Sequence, residues 1–236
     1  MPDRDDAIAY LTGKMTGGAA PTAVGKKFAP DGRPLKCPGY TTLCHVAPTS
    51  DAFAALLAAQ DALKAGPLAD AYTFMPPASF HMTIFPGVID YTRKSTDWPR
   101  GLDLAAPIPT AVATAQNRLA EVSLDRQFTV APRGIFGGFT VDMMGADAEE
   151  EAKLRMARDR LRSATQIIRP DHDQYRFHIT LGYLLRWLTA DEAQQMVDLS
   201  DHLSKTLISA MPRLTLGPVE FCAFDDMHHF KPLTLL

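Results

Sequence analysis

Cysteine is scarce: Cys37, Cys44 and Cys222 are the only three in 236 residues, an odd number without the paired spacing of a metal knuckle. That argues against a disulfide framework or a zinc finger and for a reducing compartment, with the three thiols read as small buried hydrophobes. Long apolar runs are missing too. No 18-residue hydrophobic stretch occurs, so no membrane-spanning helix and no membrane partner are expected. The first fifteen residues are charged and lack the apolar core of a secretory leader, from which a cytoplasmic location is expected. Nor does one sign of charge dominate. Lys and Arg number 24 against 27 Asp and Glu, a formal net charge of −3, so the chain lacks the basic field of a duplex-DNA-coating protein. Any nucleic-acid contact is therefore expected in a local cleft.

What is present is a tetrapeptide that occurs twice, Phe80-His81-Met82-Thr83 and Phe177-His178-Ile179-Thr180. An aromatic precedes each His, an apolar residue separates it from Thr, and an aliphatic residue follows, which is the alternation of a half-buried strand. Side chains two apart on a strand share a face, so His81 stands beside Thr83, and His178 beside Thr180, roughly 6–7 Å apart. One such pair is expected by chance in a chain with seven His; two with matching flanks point to a polar site built on a sheet.

The repeat is wider than the tetrapeptide. Gly39-Tyr40-Thr41-Thr42 opens one apolar stretch and Gly138-Phe139-Thr140-Val141 another, each followed by a helical pattern, Asp51 to Lys64 and Ala148 to Gln166. The chain thus reads as two strand–helix–strand halves that deliver one His-x-Thr strand each, related by a pseudo-twofold and facing across a cleft. Residues 1–38 read as an N-terminal helix and an irregular wrapping segment, rich in Gly, Pro, Ala and Lys from Thr16 on. Residues 39–236 read as one bilobal domain with lobes at about 39–100 and 125–224. Pro86 to Pro109 reads as the crossover, followed by a short helix near Ala111 to Leu119. A hairpin turns at Gly137-Gly138, Thr189 with Glu192 caps a helix running to about Ala210, and a last strand includes Val219 to Phe224.

The two motifs resemble those of the two-histidine (2H) phosphoesterase superfamily, which includes the 2′-5′ RNA ligase-like proteins. The wider run Gly25-Lys26-Lys27-Phe28, Asp31-Gly32, Pro38-Gly39-Tyr40-Thr41, Arg93, Trp98-Pro99 and Phe224-Asp225-Asp226-Met227 is similar to a bacterial branch of it known only as a domain of unknown function. The resemblance implies an α+β fold with antiparallel sheets lining a concave cleft. It also implies phosphoester chemistry without metal or cofactor, and His81, Thr83, His178 and Thr180 as the active site. The expected substrate is a 2′,3′-cyclic phosphate or a related nucleotide- or RNA-end phosphodiester, acted on by a monomer.

The chemistry fits the residue types. In-line hydrolysis needs a base for the attacking oxygen and an acid for the leaving one, and two imidazoles can supply both near neutrality. The Thr hydroxyls would donate to non-bridging phosphate oxygens. Arg176 lies on the His178 face by alternation, Phe85 on the His81 face, and Arg93 follows the first motif; these, with Tyr40 and Thr42, are the substrate-binding candidates. Two other readings stand beside this one. Asp171-His172-Asp173 and Asp225-Asp226-Met227-His228-His229 offer ligands to a metal-dependent hydrolase. A non-catalytic nucleotide- or RNA-end-binding module would keep the Thr donors but would not need both imidazoles.

Overall fold

The two His-x-Thr stretches become adjacent strands in the middle of one sheet. A computed structural model describes residues 3–236; Met1 and Pro2, at the start of the wrapping segment, lie outside the described residues. In chain order the elements are α1 Arg4–Leu11, β1 Gly39–His45, α2 Asp51–Lys64, β2 Tyr72–Phe74, β3 His81–Ile89, α3 Ile108–Leu119, β4 Phe128–Phe136 and β5 Thr140–Gly145. They continue with α4 Ala148–Thr165, β6 Phe177–Thr180, β7 Gly182–Leu184, α5 Ala190–Ala210, β8 Leu214–Leu216, β9 Glu220–Phe224 and β10 Lys231–Leu235. Eight strands form an antiparallel sheet in the order β10-β9-β1-β3-β6-β5-β4-β8, and β2 pairs with β7 apart from it. The fold is α+β.

The duplication is visible in that order. β1-α2-β3 and β5-α4-β6 meet where β3 pairs with β6, so β9-β1-β3 on one side is mirrored by β4-β5-β6 on the other. The two antiparallel halves meet at the β3–β6 seam. Met82 pairs directly with Ile179, and that ladder fuses the halves edge to edge into one surface.

Local chemistry sets the helices. Ser50 caps α2 by accepting from the Phe53 amide, with Asp51 in the first turn and Lys64 in the last, both complementing the helix dipole. Asp147 caps α4, whose first turn carries Glu149, Glu150 and Glu151. Thr189 and Glu192 form the reciprocal capping box of α5. Each helix buries an apolar stripe at helical spacing: Leu56 and Leu63 on α2, Leu154 and Leu161 on α4, Met196 and Leu207 on α5.

Alternation then sorts the sheet. Met82, Ile84, Phe177 and Ile179 enter the main core with these helices, whereas His81, Thr83, His178 and Thr180 stay half-buried on the opposite face. A smaller cluster, with Phe28, Leu43, Cys222, Phe224 and Phe230 among its buried members, packs apart from the main core. Phe28 brings the wrapping segment onto it. Gly25, at φ +77°, turns the chain there, and its amide bonds the Phe28 carbonyl at 2.8 Å. All three cysteines are buried and free.

Candidate active site

The β3–β6 register, carried one residue either way from Met82 and Ile179, sets His81 opposite Thr180 and Thr83 opposite His178. The two imidazoles therefore occupy one diagonal of a four-residue patch and the two hydroxyls the other. Diagonal neighbours on one sheet face lie about 7–8 Å apart, room for a tetrahedral group between them. The patch continues sideways, with His45 paired to His81 across β1 and Asp142 paired to His178 across β5.

Both rings are held the same way. His81 Nδ1 lies 2.7 Å from the Ser79 carbonyl, and His178 Nδ1 lies 3.0 Å from the Arg176 carbonyl. A carbonyl oxygen can only accept, so each Nδ1 carries the proton and each neutral ring keeps its lone pair on Nε2. The backbone two residues upstream thus fixes both tautomers identically. Phe230 stands edge-on to His81 with centroids 4.4 Å apart, and Tyr175 flanks His178 at 6.1 Å.

Burial pushes both pKa values down. His81 falls from 6.5 to about 4, chiefly by desolvation, with the charges of His45, His178 and Lys27 acting in the same sense and the Ser79 bond opposing. His178 is also lowered by desolvation and by Lys27, against the Arg176 bond and the Asp142 carboxylate. Without an anion both rings are neutral at pH 7.

Lys27 is the residue that alternation and spacing did not reach. A cavity of about 330 Å³ is lined by Lys26, Lys27, Tyr91, Thr140, His178, Thr180 and Tyr183, among others. Lys27 Nζ donates to the Tyr183 hydroxyl at 3.3 Å and stands 4.9 Å from that ring's centre. Burial works to lower its pKa, but the hydroxyls of Tyr183 and Tyr91 and the thiol of Cys37 outweigh it and the net shift is upward. The ammonium stays charged, among tyrosines rather than carboxylates, beside Thr180. Its place follows from Phe28, fully buried and 5.0 Å from the Tyr183 ring. The only sequence signal was the run Gly25-Lys26-Lys27-Phe28. Tyr183 was missed because β6 ends at Thr180 and the chain then joins the separate β2–β7 ladder.

Four substrate-binding candidates lie elsewhere. β3 carries two bulges against β1, at the steps from Tyr40 to Thr42 and from Thr42 to Leu43, and these rotate Phe85 off the His81 face. Phe85 is buried, with its ring centre 5.7 Å from the Arg158 guanidinium. Thr42, also buried, donates to the Phe85 carbonyl at 2.9 Å. Tyr40 packs on Phe221, and Gly87 makes room for it: a Cβ there would fall 2.4 Å from the Tyr40 ring. Arg93 is spent on structure, bonding Asp90 and the carbonyls of Leu104 and Ala106 and lying over Trp98 at 4.7 Å. Arg176, in contrast, is exposed and lines a cavity with His178.

Neither Asp/His cluster gathers its donor atoms in metal-type geometry among the described residues. His172 is buried, with Nε2 bonded to Asp159 at 2.8 Å and its carbonyl accepting from Arg158 at 3.0 Å. Asp226 accepts from the His228 amide at 2.7 Å. Among the described residues the one group with metal-type geometry is different: His45, Glu220 and Cys222, whose donor atoms lie within 4.8 Å of one another. Two of these already form a 2.9 Å pair, His45 Nδ1 with Glu220. No helix among the described residues is long and apolar enough to cross a membrane.

A family model described as 2H-phosphodiest, a domain of unknown function (DUF1868), matches residues 27–135, a span that holds the first His-x-Thr but not the second. The chain is similar to the solved structure of a conserved protein of unknown function, ATU0111, from Agrobacterium tumefaciens str. C58, at 30% identity over 97% of each chain with a TM-score of 0.91. The structure of Kluyveromyces marxianus Usb1 matches at 12% identity over 84% of this chain and 99% of that one, with a TM-score of 0.43. No curated protein matches. With its motif-bearing first half matched by the family model and a 30%-identical bacterial relative aligned over nearly its whole length, the chain belongs to the 2H phosphodiesterase superfamily.

Proposed function

We propose that the protein is a metal-independent phosphoesterase that hydrolyses a 2′,3′-cyclic phosphate, or a related nucleotide- or RNA-end phosphodiester, by paired histidine acid–base catalysis. The observation that carries this reading is the matched pair of Nδ1-to-carbonyl bonds, which leaves a basic Nε2 on each of two rings that share one sheet face. A non-catalytic binding module has no need for two rings fixed in the same tautomer.

In this mechanism the phosphate lies between the rings, with Thr83 and Thr180 donating to its non-bridging oxygens and Lys27 opposing the charge that builds there. His81, desolvated and flanked by His45 and Lys27 rather than by a carboxylate, stays neutral, so it takes the proton from the attacking water. His178, next to Asp142, carries the proton that the departing ribose oxygen receives. Water adds its O–H oxygen to phosphorus, the cyclic P–O bond breaks, and the proton count returns to its starting value once the pair re-equilibrates.

The test is a panel of cyclic and linear phosphodiesters assayed in EDTA, with the product position read by phosphorus NMR. Turnover of a cyclic phosphate with no loss on chelation is the expected result. Loss in EDTA with recovery on adding Zn²⁺ or Mn²⁺ would overturn the metal-free mechanism and direct attention to His45, Glu220 and Cys222.

A further inference from the structure

A second cavity, of about 280 Å³, adjoins the first and is lined by Tyr10, Phe136, Phe139, Thr140, Asp142, Arg176 and His178. Three aromatic rings form its wall. Tyr10 and Phe139 stack with centroids 5.3 Å apart and planes at 28°, and Phe136 stands edge-on to both at 5.8 Å. All three are half-buried, unlike core rings such as Phe128 and Phe177, so ring area remains facing the cavity. The two cavities share Tyr10, Phe139, Thr140 and His178. A ligand with its phosphate beside Lys27 and Thr180 can reach this wall without crossing a barrier.

Neither polar side chain at the rim, Asp142 or Arg176, makes a hydrogen bond to another described residue. Asp142 is 7% exposed, and its ion-pair partner among the described residues, Arg133 Nε, lies 3.9 Å away, beyond hydrogen-bond length. Burial raises the Asp142 pKa, against the charges of Arg133, Arg176 and His178. Arg176 lends its carbonyl to His178 and leaves its exposed guanidinium free to turn toward the cavity. An aromatic wall beside a buried acceptor and a forked donor suits a planar heteroaromatic ring with complementary edges.

We propose that this cavity is a nucleobase subsite that favours guanine; the proposal rests on the phosphoesterase reading above and names the substrate more closely. A base stacks on a partly exposed aromatic wall whatever its sequence identity. Guanine alone sets an imino and an amino donor side by side, which matches the two oxygens of Asp142, and its O6 and N7 accept from an arginine fork. A buried acceptor left without a donor discriminates strongly against a ring that cannot supply one.

The experiment compares kcat/KM for guanosine 2′,3′-cyclic phosphate, uridine 2′,3′-cyclic phosphate and base-free glycerol 1,2-cyclic phosphate. The wild type should prefer the guanosine compound at least tenfold over the other two. Tyr10→Ala should cut the guanosine-to-glycerol ratio about tenfold, mainly through KM, and Asp142→Asn should erase the guanosine-to-uridine ratio. Equal turnover of the guanosine and glycerol compounds by the wild type would overturn the subsite, and equal turnover of guanosine and uridine would overturn the guanine assignment. If none of the three is turned over, the phosphoesterase reading is what fails. Calorimetry with guanosine 3′-monophosphate then decides the subsite alone, and absence of binding overturns it.

Discussion

A ring tied through Nδ1 to the backbone can do one thing for a ligand, which is to exchange a proton at Nε2. In the proposed mechanism His81 and His178, tied alike, would each transfer a proton at a different oxygen, so that neither could substitute for the other. His81→Ala and His178→Ala are each expected to lower turnover of the cyclic substrate about 10²–10⁴-fold with the fold intact by circular dichroism. A variant of either that keeps near wild-type rate would end the paired mechanism. Lys27 acts on both rings through charge, so Lys27→Met should lower kcat/KM and also shift the profile against pH. With the ammonium gone, protonation of His81 and His178 becomes easier and the acid limb moves upward. For the wild type the expected profile differs from the one that free histidines suggest. Two rings at their ordinary pKa would place both limbs near neutrality, but with His81 at about 4 the acid limb of kcat/KM belongs there. Bound phosphate should raise the limbs seen in kcat. An acid limb at pH 6 or above in kcat/KM would contradict the burial of His81.

Among the elements, β3 shows what a one-letter pattern can and cannot give. Alternation over Phe80 to Ile84 was legible and put His81 and Thr83 on the site face. Past Ile84 it failed, because a bulge adds a residue to β3 without any mark that periodicity can read, and Phe85 turned inward. The face of Tyr40 and Thr42 on the partner strand could not be read from alternation at all, and both side chains are buried there. The helices were readable from their caps and stripes, and the halves from the repeat. That β3 and β6 would share one ladder was not, since strand partnership is set by long-range packing. Beneath that seam, Arg158 of α4 joins the halves. Its Nη1 donates to the Ile84 carbonyl at 2.7 Å, its Nη2 donates to the His172 carbonyl, and its guanidinium lies 3.9 Å from the Tyr175 ring centre, just before β6. Burial lowers its pKa to about 10, so it remains charged. Arg158→Met should therefore cost about 1–3 kcal/mol for the orphaned carbonyls, read as a lower midpoint in urea, and should depress turnover through the seam. A variant as stable and as active as wild type would show that the seam holds without it.

At the scale of the molecule, the site lies on the line where the two halves join, and the wrapping segment closes over it through Phe28 and Lys27. Two desolvated imidazoles are thereby kept neutral in the folded protein, which couples acid stability to the candidate site. In the unfolded chain each ring titrates near 6.5; in the folded one His81 does so at about 4, and His178 is also lowered. The contribution of His81 is thus fully present above pH 6.5. It declines as the unfolded chain takes up a proton that the folded chain refuses, and is gone below about pH 4. Asp142, whose pKa burial raises, works the other way by holding its proton more tightly when folded. Salt-bridged carboxylates such as Glu220 and Asp198, with lowered pKa values, add their own loss only at lower pH. Between about pH 6.5 and 4.5 the difference between wild type and a variant without the His81 ring isolates the contribution of His81. There His81→Asn should flatten the fall of unfolding free energy with pH by up to one proton, about 1.4 kcal/mol per pH unit, measured by urea titrations with matched slopes. The same variant should be inactive, so its gain in acid tolerance would be the stability that the neutral, desolvated ring withholds from the wild type. If wild type and His81→Asn lose stability in parallel across this window, His81 titrates normally and the desolvated site is not what the protein has.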